Sequence, residues 1–259
     1  MLIFARNMTA SMMKVLVIGQ RNRIDEFRQL SLQAAEVDYL DQFYLDIEEL
    51  EAPVEDAPLA HDPYYMEEVD LTQYDAIFDL SLDDYPDNLE LYAANEGQLI
   101  FGCAVKASAT ELAAACPFEL ECQLFGINAF PTFINRPLLE WSALRPESAP
   151  AAAAALSALG LPGEQVADQV GMVSPRVVCM IINEAAFVLG EGTAEAAAVD
   201  NAMRLGTNYP EGPFAWADKI GHDNVFELLE ALLTQTGDSR YKIAPALRQH
   251  LLRDEAFIA

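Results

Sequence analysis

The chain has 259 residues, 52% of them apolar, and a formal net charge of −26. A chain this long and this apolar can bury enough surface to offset its ordering entropy, and it contains no run of eighteen apolar residues that could cross a membrane as a helix. The charge is uneven: between Arg28 and Lys106 there is no lysine or arginine but twenty aspartates and glutamates, a field that repels nucleic acid, anionic lipid and phosphorylated ligands unless a local cation offsets it.

Residues 1–13, MLIFARNMTASMM, lack a basic region ahead of a short apolar stretch, so they read as a disordered leader rather than a secretion signal. Met13–Gln20 (MKVLVIGQ) is a β-branched run ending near a glycine, and Ile24, Phe27, Leu30 and Leu32 follow at roughly helical spacing, which predicts strand, turn and helix. Val37–Leu40 reads as a second strand. The acidic, proline-containing segment after it, through Asp70, reads as a long loop or marginal helix. Tyr74–Leu82 and Gln98–Ala104 are predicted strands with a short helix, NLELYAAN, between them. Ser108 and Glu111 form a capping-box pattern at the head of the next helix, and Leu124–Phe130 supplies a further strand. Strands alternating with helices over this span predict a doubly wound parallel sheet.

The alanine-rich tract from Glu147 reads as a linking helix broken by Gly160, Pro162 and Gly163, with everything downstream helical. Ser174–Pro175 reads as a helix start, with serine at the N-cap and proline first in the helix. The following VVCMIINEAAFVLGEG is apolar nearly all round, as expected of a central or interface helix. Ala197–Leu205 forms another helix closed by Gly206, Asp223 is placed as the cap of a third, and a last helix runs from Ile243 to Leu252. The predicted division is a leader at 1–13, an α/β domain at 14–145 and a helical domain at 146–259. The four cysteines form no C-x-x-C pair and read as buried thiols of a cytoplasmic protein, with a metal site as the alternative.

Between the second and third downstream helices lies LGTNYPEGPFAWADKIG, residues 205–221. Together with NEAAFVLGEGTAEAAAVDNAM before it, this segment resembles the C-terminal domain of 3-hydroxyacyl-CoA dehydrogenases at Glu184, Gly192, Asp200, Gly206, Pro210, Gly212, Pro213, Phe214, Asp218 and Gly221. The resemblance covers about residues 165–235. It implies a Rossmann-like doubly wound sheet followed by an all-α domain, a homodimer through the helical domain, and a place in fatty acid metabolism. The loop itself also has a purely architectural reading.

The same resemblance implies an N-terminal dinucleotide site and a catalytic set, and here the chain departs from the pattern. The turn reads Gly19-Gln20-Arg21-Asn22-Arg23, keeping the first of three glycines, so Gly19 is a vestigial cofactor-binding residue and no cofactor is expected where the family has NAD. Alignment on Gly126 puts Asn128 at the position of the family's catalytic histidine and Glu140 at that of its orienting glutamate. Asparagine cannot take a proton as a base. Where the family has an asparagine ahead of arginine, this chain has Pro175 and Arg176, and the family's polar strand end is Gly102-Cys103-Ala104-Val105.

These readings imply a dimeric binding or scaffold protein without the family's usual catalysis, its partner an acyl thioester or another protein. The alternative is an active NAD(P)-dependent oxidoreductase on 3-hydroxyacyl-CoA or a related hydroxy acid, with a displaced catalytic set. A third reading has the acidic half docking a basic partner. For the phosphates of coenzyme A, Lys106 and Arg136 are the remaining candidate cations.

Overall fold

A computed structural model describes residues 12–42, 69–253 and 255–258. The leader before Met12, most of the acidic segment and His61 lie outside these residues. The N-terminal layer is built from β1 (Met13–Gly19), α1 (Arg21–Phe27), β2 (Ala35–Asp41), β3 (Ala76–Asp79), α2 (Asn88–Tyr92), β4 (Leu99–Cys103), α3 (Ala109–Ala115), β5 (Gln123–Ile127), β6 (Leu139–Ala143), α4 (Ala149–Ala158) and β7 (Gly163–Gln165). The strands form one sheet in the order β2-β1-β3-β4-β5-β6-β7. The first five are parallel, β6 runs antiparallel to β5, and β7 is parallel to β6.

The sheet core follows from the sequence's β-branched and aromatic runs. Phe78, Phe101 and Phe125 share one register row across β3, β4 and β5. Their rings therefore lie on one face, stacked at 4.7 Å and 5.1 Å, with Trp141 edge-on to Phe125 at 6.5 Å. Phe27 meets Phe78 at 5.3 Å, so this is the face that α1 covers. Small residues are forced where strands crowd: a Cβ at Gly126 would lie 2.6 Å from Ser142 Oγ and 2.8 Å from Ala104 Cβ.

The sheet continues past the boundary expected at residue 146, because α4 returns the chain to the edge and β7 pairs with β6. The all-helical part starts beyond Gln165: α5 (Ser174–Gly190), α6 (Ala196–Thr207), α7 (Pro213–Ile220), α8 (His222–Thr236) and α9 (Pro245–Arg253). The segment at 205–221, read as a loop, contains α7. Gly206 lies inside α6, which ends instead at Asn208 in the left-handed conformation. Asp223 is in the first turn of α8 rather than at its cap, which is Gly221. Cys103, Cys122 and Cys179 are buried and Cys116 is partly so, all as free thiols.

Candidate functional site

The strand order reverses between β1 and β3, and in an open α/β sheet ligands bind beyond the carboxyl ends of the strands at such a point. Gly19 ends β1 opposite Asp41, the last residue of β2. A Cβ at Gly19 would meet Leu80 Cβ at 2.9 Å, and the next amide, Gln20 N–H, donates to Ser81 Oγ at 3.2 Å. The glycine's close approach is therefore to the turn after β3. Arg21 Nε donates to Asp41 Oδ2 at 2.8 Å across the opening of the turn.

Arg23 is the largest fully buried side chain in the described structure. One guanidinium nitrogen donates to Leu80 O at 2.6 Å, the other to Asn224 Oδ1 of α8 at 3.3 Å, and the latter also lies 2.7 Å from Asp84 Oδ2. Lys106 pairs with Asp84 and reaches Glu227 of α8 at 2.6 Å. Asp83 accepts from the amides of Val105 and Lys106 at 2.9 Å and 2.8 Å. Burial alone would lower the Lys106 pKa, but Asp83 and Asp84 hold it above the ordinary lysine value. Lys106, expected as a free cation for a phosphate, is thus engaged in binding the sheet's edge to the helical domain. Cys103, beneath this cluster, has its thiol pKa pushed well up, first by burial and then by Asp83.

Asn128 and Glu140 are brought together in backbone but act separately. Asn128 N–H donates to Glu140 O at 3.0 Å. The Asn128 side chain is buried and donates to Ser174 Oγ at 3.2 Å. Glu140 instead caps α5: its carboxylate accepts from Val173 N–H at 2.8 Å and Ser174 N–H at 3.0 Å, supplying the acceptors that the helix start lacks. The serine cap expected at Ser174 is therefore replaced by a carboxylate from β6. Pro175 stands in the first turn, where no amide hydrogen is needed. Among the described residues placed at Asn128, none is a titratable base hydrogen-bonded to it.

Three carboxylates escaped the sequence reading. Asp168 accepts from Ala109 N–H and Thr110 N–H, each at 2.9 Å, and so reinforces the capping box that Ser108 and Glu111 do form. Asp79, at the end of β3, accepts from Ser81 N–H, Asn88 Nδ2 and Tyr92 Oη. Burial pushes its pKa up to about 6, against the pull of those hydrogen bonds. Asp41 had a legible signal, an acid some twenty residues after the glycine turn at the end of the second strand. In the helical domain, Asp200 caps α7 through Phe214 N–H at 2.8 Å and Ala215 N–H at 3.0 Å. A Cβ at Gly212 would lie 2.1 Å from Asp200 Cγ, which accounts physically for the aspartate, glycine, proline and phenylalanine of that segment.

The architecture is a Rossmann-like sheet followed by five helices. Residues 171–256 match the family described as 3-hydroxyacyl-CoA dehydrogenase, C-terminal domain. Over 93 residues, 36% of this chain, the sequence is 44% identical to the 3-hydroxyadipyl-CoA dehydrogenase of Escherichia coli (strain K12), of which it covers 20%. A probable 3-hydroxybutyryl-CoA dehydrogenase of Bacillus subtilis (strain 168) is 42% identical over 93 residues, with 32% of that protein covered. The sequence matches thus span about a fifth to a third of these relatives. The crystal structure of (S)-3-hydroxybutyryl-CoA dehydrogenase from Ralstonia eutropha shares the fold with a TM-score of 0.67 at 24% identity, over 94% of this chain and 95% of that one. Residues 171–256 are thus similar to the C-terminal domain of the 3-hydroxyacyl-CoA dehydrogenase family, and the chain as a whole shares the fold of these proteins.

This corrects the expectation of no cofactor. The relatives are 3-hydroxyacyl-CoA dehydrogenases, and NAD is the cofactor they imply. Of the residues present, Asp41 suits the hydroxyls of a ribose and the Arg21 guanidinium, about half exposed, suits a pyrophosphate. Arg21 and Ile24 stand where the second and third glycines of the turn would be, so a dinucleotide here would meet a side-chain cation in place of the closest backbone approach.

Proposed function

We propose that this protein is a 3-hydroxyacyl-CoA dehydrogenase-like protein that keeps the family's fold without its proton-transfer chemistry, and that it works as a homodimeric binding or scaffold protein. The observation that carries this reading is Asn128: the family's base position holds an amide hydrogen-bonded to Ser174, and Glu140 is committed to the head of α5. Oxidation of a hydroxyl needs a group that accepts its proton as the hydride leaves, and an amide does not do so near neutral pH. Arg21 and Asp41 would hold NAD, which when bound would supply the hydride acceptor. Binding and turnover are therefore separable in this chain.

The dimer reading is supported by exposed apolar residues on the helical domain. Val173 and Val177 are 55% and 53% exposed one turn apart at the head of α5, and Leu205 of α6 is 84% exposed. A Val177→Asp variant is expected to shift the mass measured by light scattering from dimer to monomer. A wild-type mass of one chain would refute the dimer.

The chemical reading is tested by following NADH absorbance with acetoacetyl-CoA, while NADH binding is measured separately by fluorescence. Wild type is expected to show no turnover above background, and Asn128→His a measurable gain. Turnover by wild type at a rate typical of enzymes, about 1 per second or faster, would establish the alternative of an active oxidoreductase with a displaced catalytic set.

A further inference from the structure

The β5–β6 connection, residues 128–138, does more than join two strands. It folds back as a strap over the face of the sheet that carries α1, and Glu26 of α1 holds it there. The Glu26 carboxylate accepts from Thr132 N–H at 2.8 Å, Ile134 N–H at 3.1 Å and Asn135 N–H at 3.3 Å, and Asn135 Nδ2 donates to Gln29 Oε1 at 2.9 Å. Thr132 takes a left-handed backbone conformation, φ 74°, to make this turn. Three amide hydrogens on one carboxylate neutralise much of its field locally and fix the strap.

Beneath the strap is a cavity of about 360 Å³. Its floor is set by strand periodicity: Leu80 and Ile127 fall two residues beyond Phe78 and Phe125, on the same face as the aromatic row, but past the end of the stacking. Phe27, Leu30, Ile134 and Leu161 complete an apolar wall. The cationic side chain lining it is Arg136, exposed at the mouth with Nε donating to Thr132 O at 2.6 Å. That bond leaves the two terminal guanidinium nitrogens at the rim of an otherwise strongly acidic molecule.

We infer that this cavity binds a small amphipathic monocarboxylate, with its apolar body under the strap and its carboxylate on Arg136. An apolar cavity of this size with one placed cation is the makeup of a small-ligand site. One guanidinium matches one carboxylate in a bidentate pair, whereas a nucleotide thioester carries several phosphates that a single arginine cannot neutralise. The site lies on the α1 face and borders the site described above, since Asn128 and Leu80, whose carbonyl accepts from Arg23, both line it, but the inference does not depend on whether a dinucleotide turns over.

The test is a calorimetric titration of the full chain with octanoate, alongside methyl NMR spectra. Saturable one-to-one binding with perturbed Ile134 and Leu161 methyl signals is expected. Arg136→Gln should weaken octanoate about tenfold while leaving the weaker binding of octan-1-ol unchanged, because only the ionic contact is lost. Ser31 lines the mouth and is exposed, so Ser31→Trp fills the entrance without disturbing the core, as a thermal melt would verify, and should abolish binding of both ligands. Absence of saturable binding, octanoate affinity insensitive to either substitution, or shifts confined to the crevice around Arg23 and Lys106 would each overturn the proposal.

Discussion

Replacing Arg23 by methionine tests whether the buried ionic cluster joins the sheet to the helical domain. The substitution keeps an unbranched apolar stem in a fully buried site and removes the donors to Leu80 O and Asn224 Oδ1 and the charge facing Asp84. Removing one partner of a buried ion pair costs about 3–5 kcal/mol, because the remaining charge is left without compensation. Here the Asp84 carboxylate keeps Lys106, so the lower end, about 3 kcal/mol, is expected. With a urea dependence of about 3 kcal/mol per molar, the unfolding midpoint should fall by about 1 M. Arg23→Met combined with Asp84→Asn should recover part of the loss, since neither charge is then stranded. Circular dichroism at increasing urea measures both. A midpoint shift below about 0.3 M for the single variant would refute the argument that this cluster couples the two layers.

Two further outcomes follow from the capped helix and the buried aspartate. Glu140→Ala removes the acceptor for two amide hydrogens at the head of α5 and should cost about 1–2 kcal/mol in thermal or urea unfolding, with Glu140→Gln less severe; no change would show that water caps the helix equally well. Asp79 has a folded pKa of about 6, above its ordinary value of 3.8, so the native state binds its proton more tightly than the unfolded chain does. Its contribution is therefore most favourable below pH 4 and is lost as pH rises through 6, by about 3 kcal/mol in all. The stability of wild type relative to Asp79→Asn should fall by that order between pH 4 and pH 7. Parallel pH curves for the two proteins would count against it.

The first five strands, most helices and the capping box at Ser108 were legible because each depends on neighbours within a few residues, whereas β6 and β7 were not foreseen. Met13–Gly19 and Ala76–Asp79 announce themselves by apolar periodicity, and Ser108 and Glu111 meet within one turn. The helix α7 was missed because three glycines and two prolines made its segment read as loop, when Gly212 and Pro213 in fact form its start. The cap of α5 was misassigned because the local pair Ser174–Pro175 satisfied the rule for a helix start. The acceptor that serves it, Glu140, is over thirty residues away in sequence.

Of the site, the sequence by itself determined which residue types stand at the positions compared with the family's pattern. An asparagine at 128 cannot titrate, and a turn with one glycine cannot bring its backbone to a pyrophosphate as a three-glycine turn does, whatever surrounds them. Only the tertiary structure decided what the remaining charged groups do. Lys106 read as a ligand-binding cation from its sequence, but folding places it and Arg23 against Asp84 and against Asn224 and Glu227, which lie more than a hundred residues away. The cost of a buried charge depends on which partners surround it in space, and that is information no window of sequence contains. Arg136 stays at the surface on a strap held by Glu26, at the mouth of the cavity.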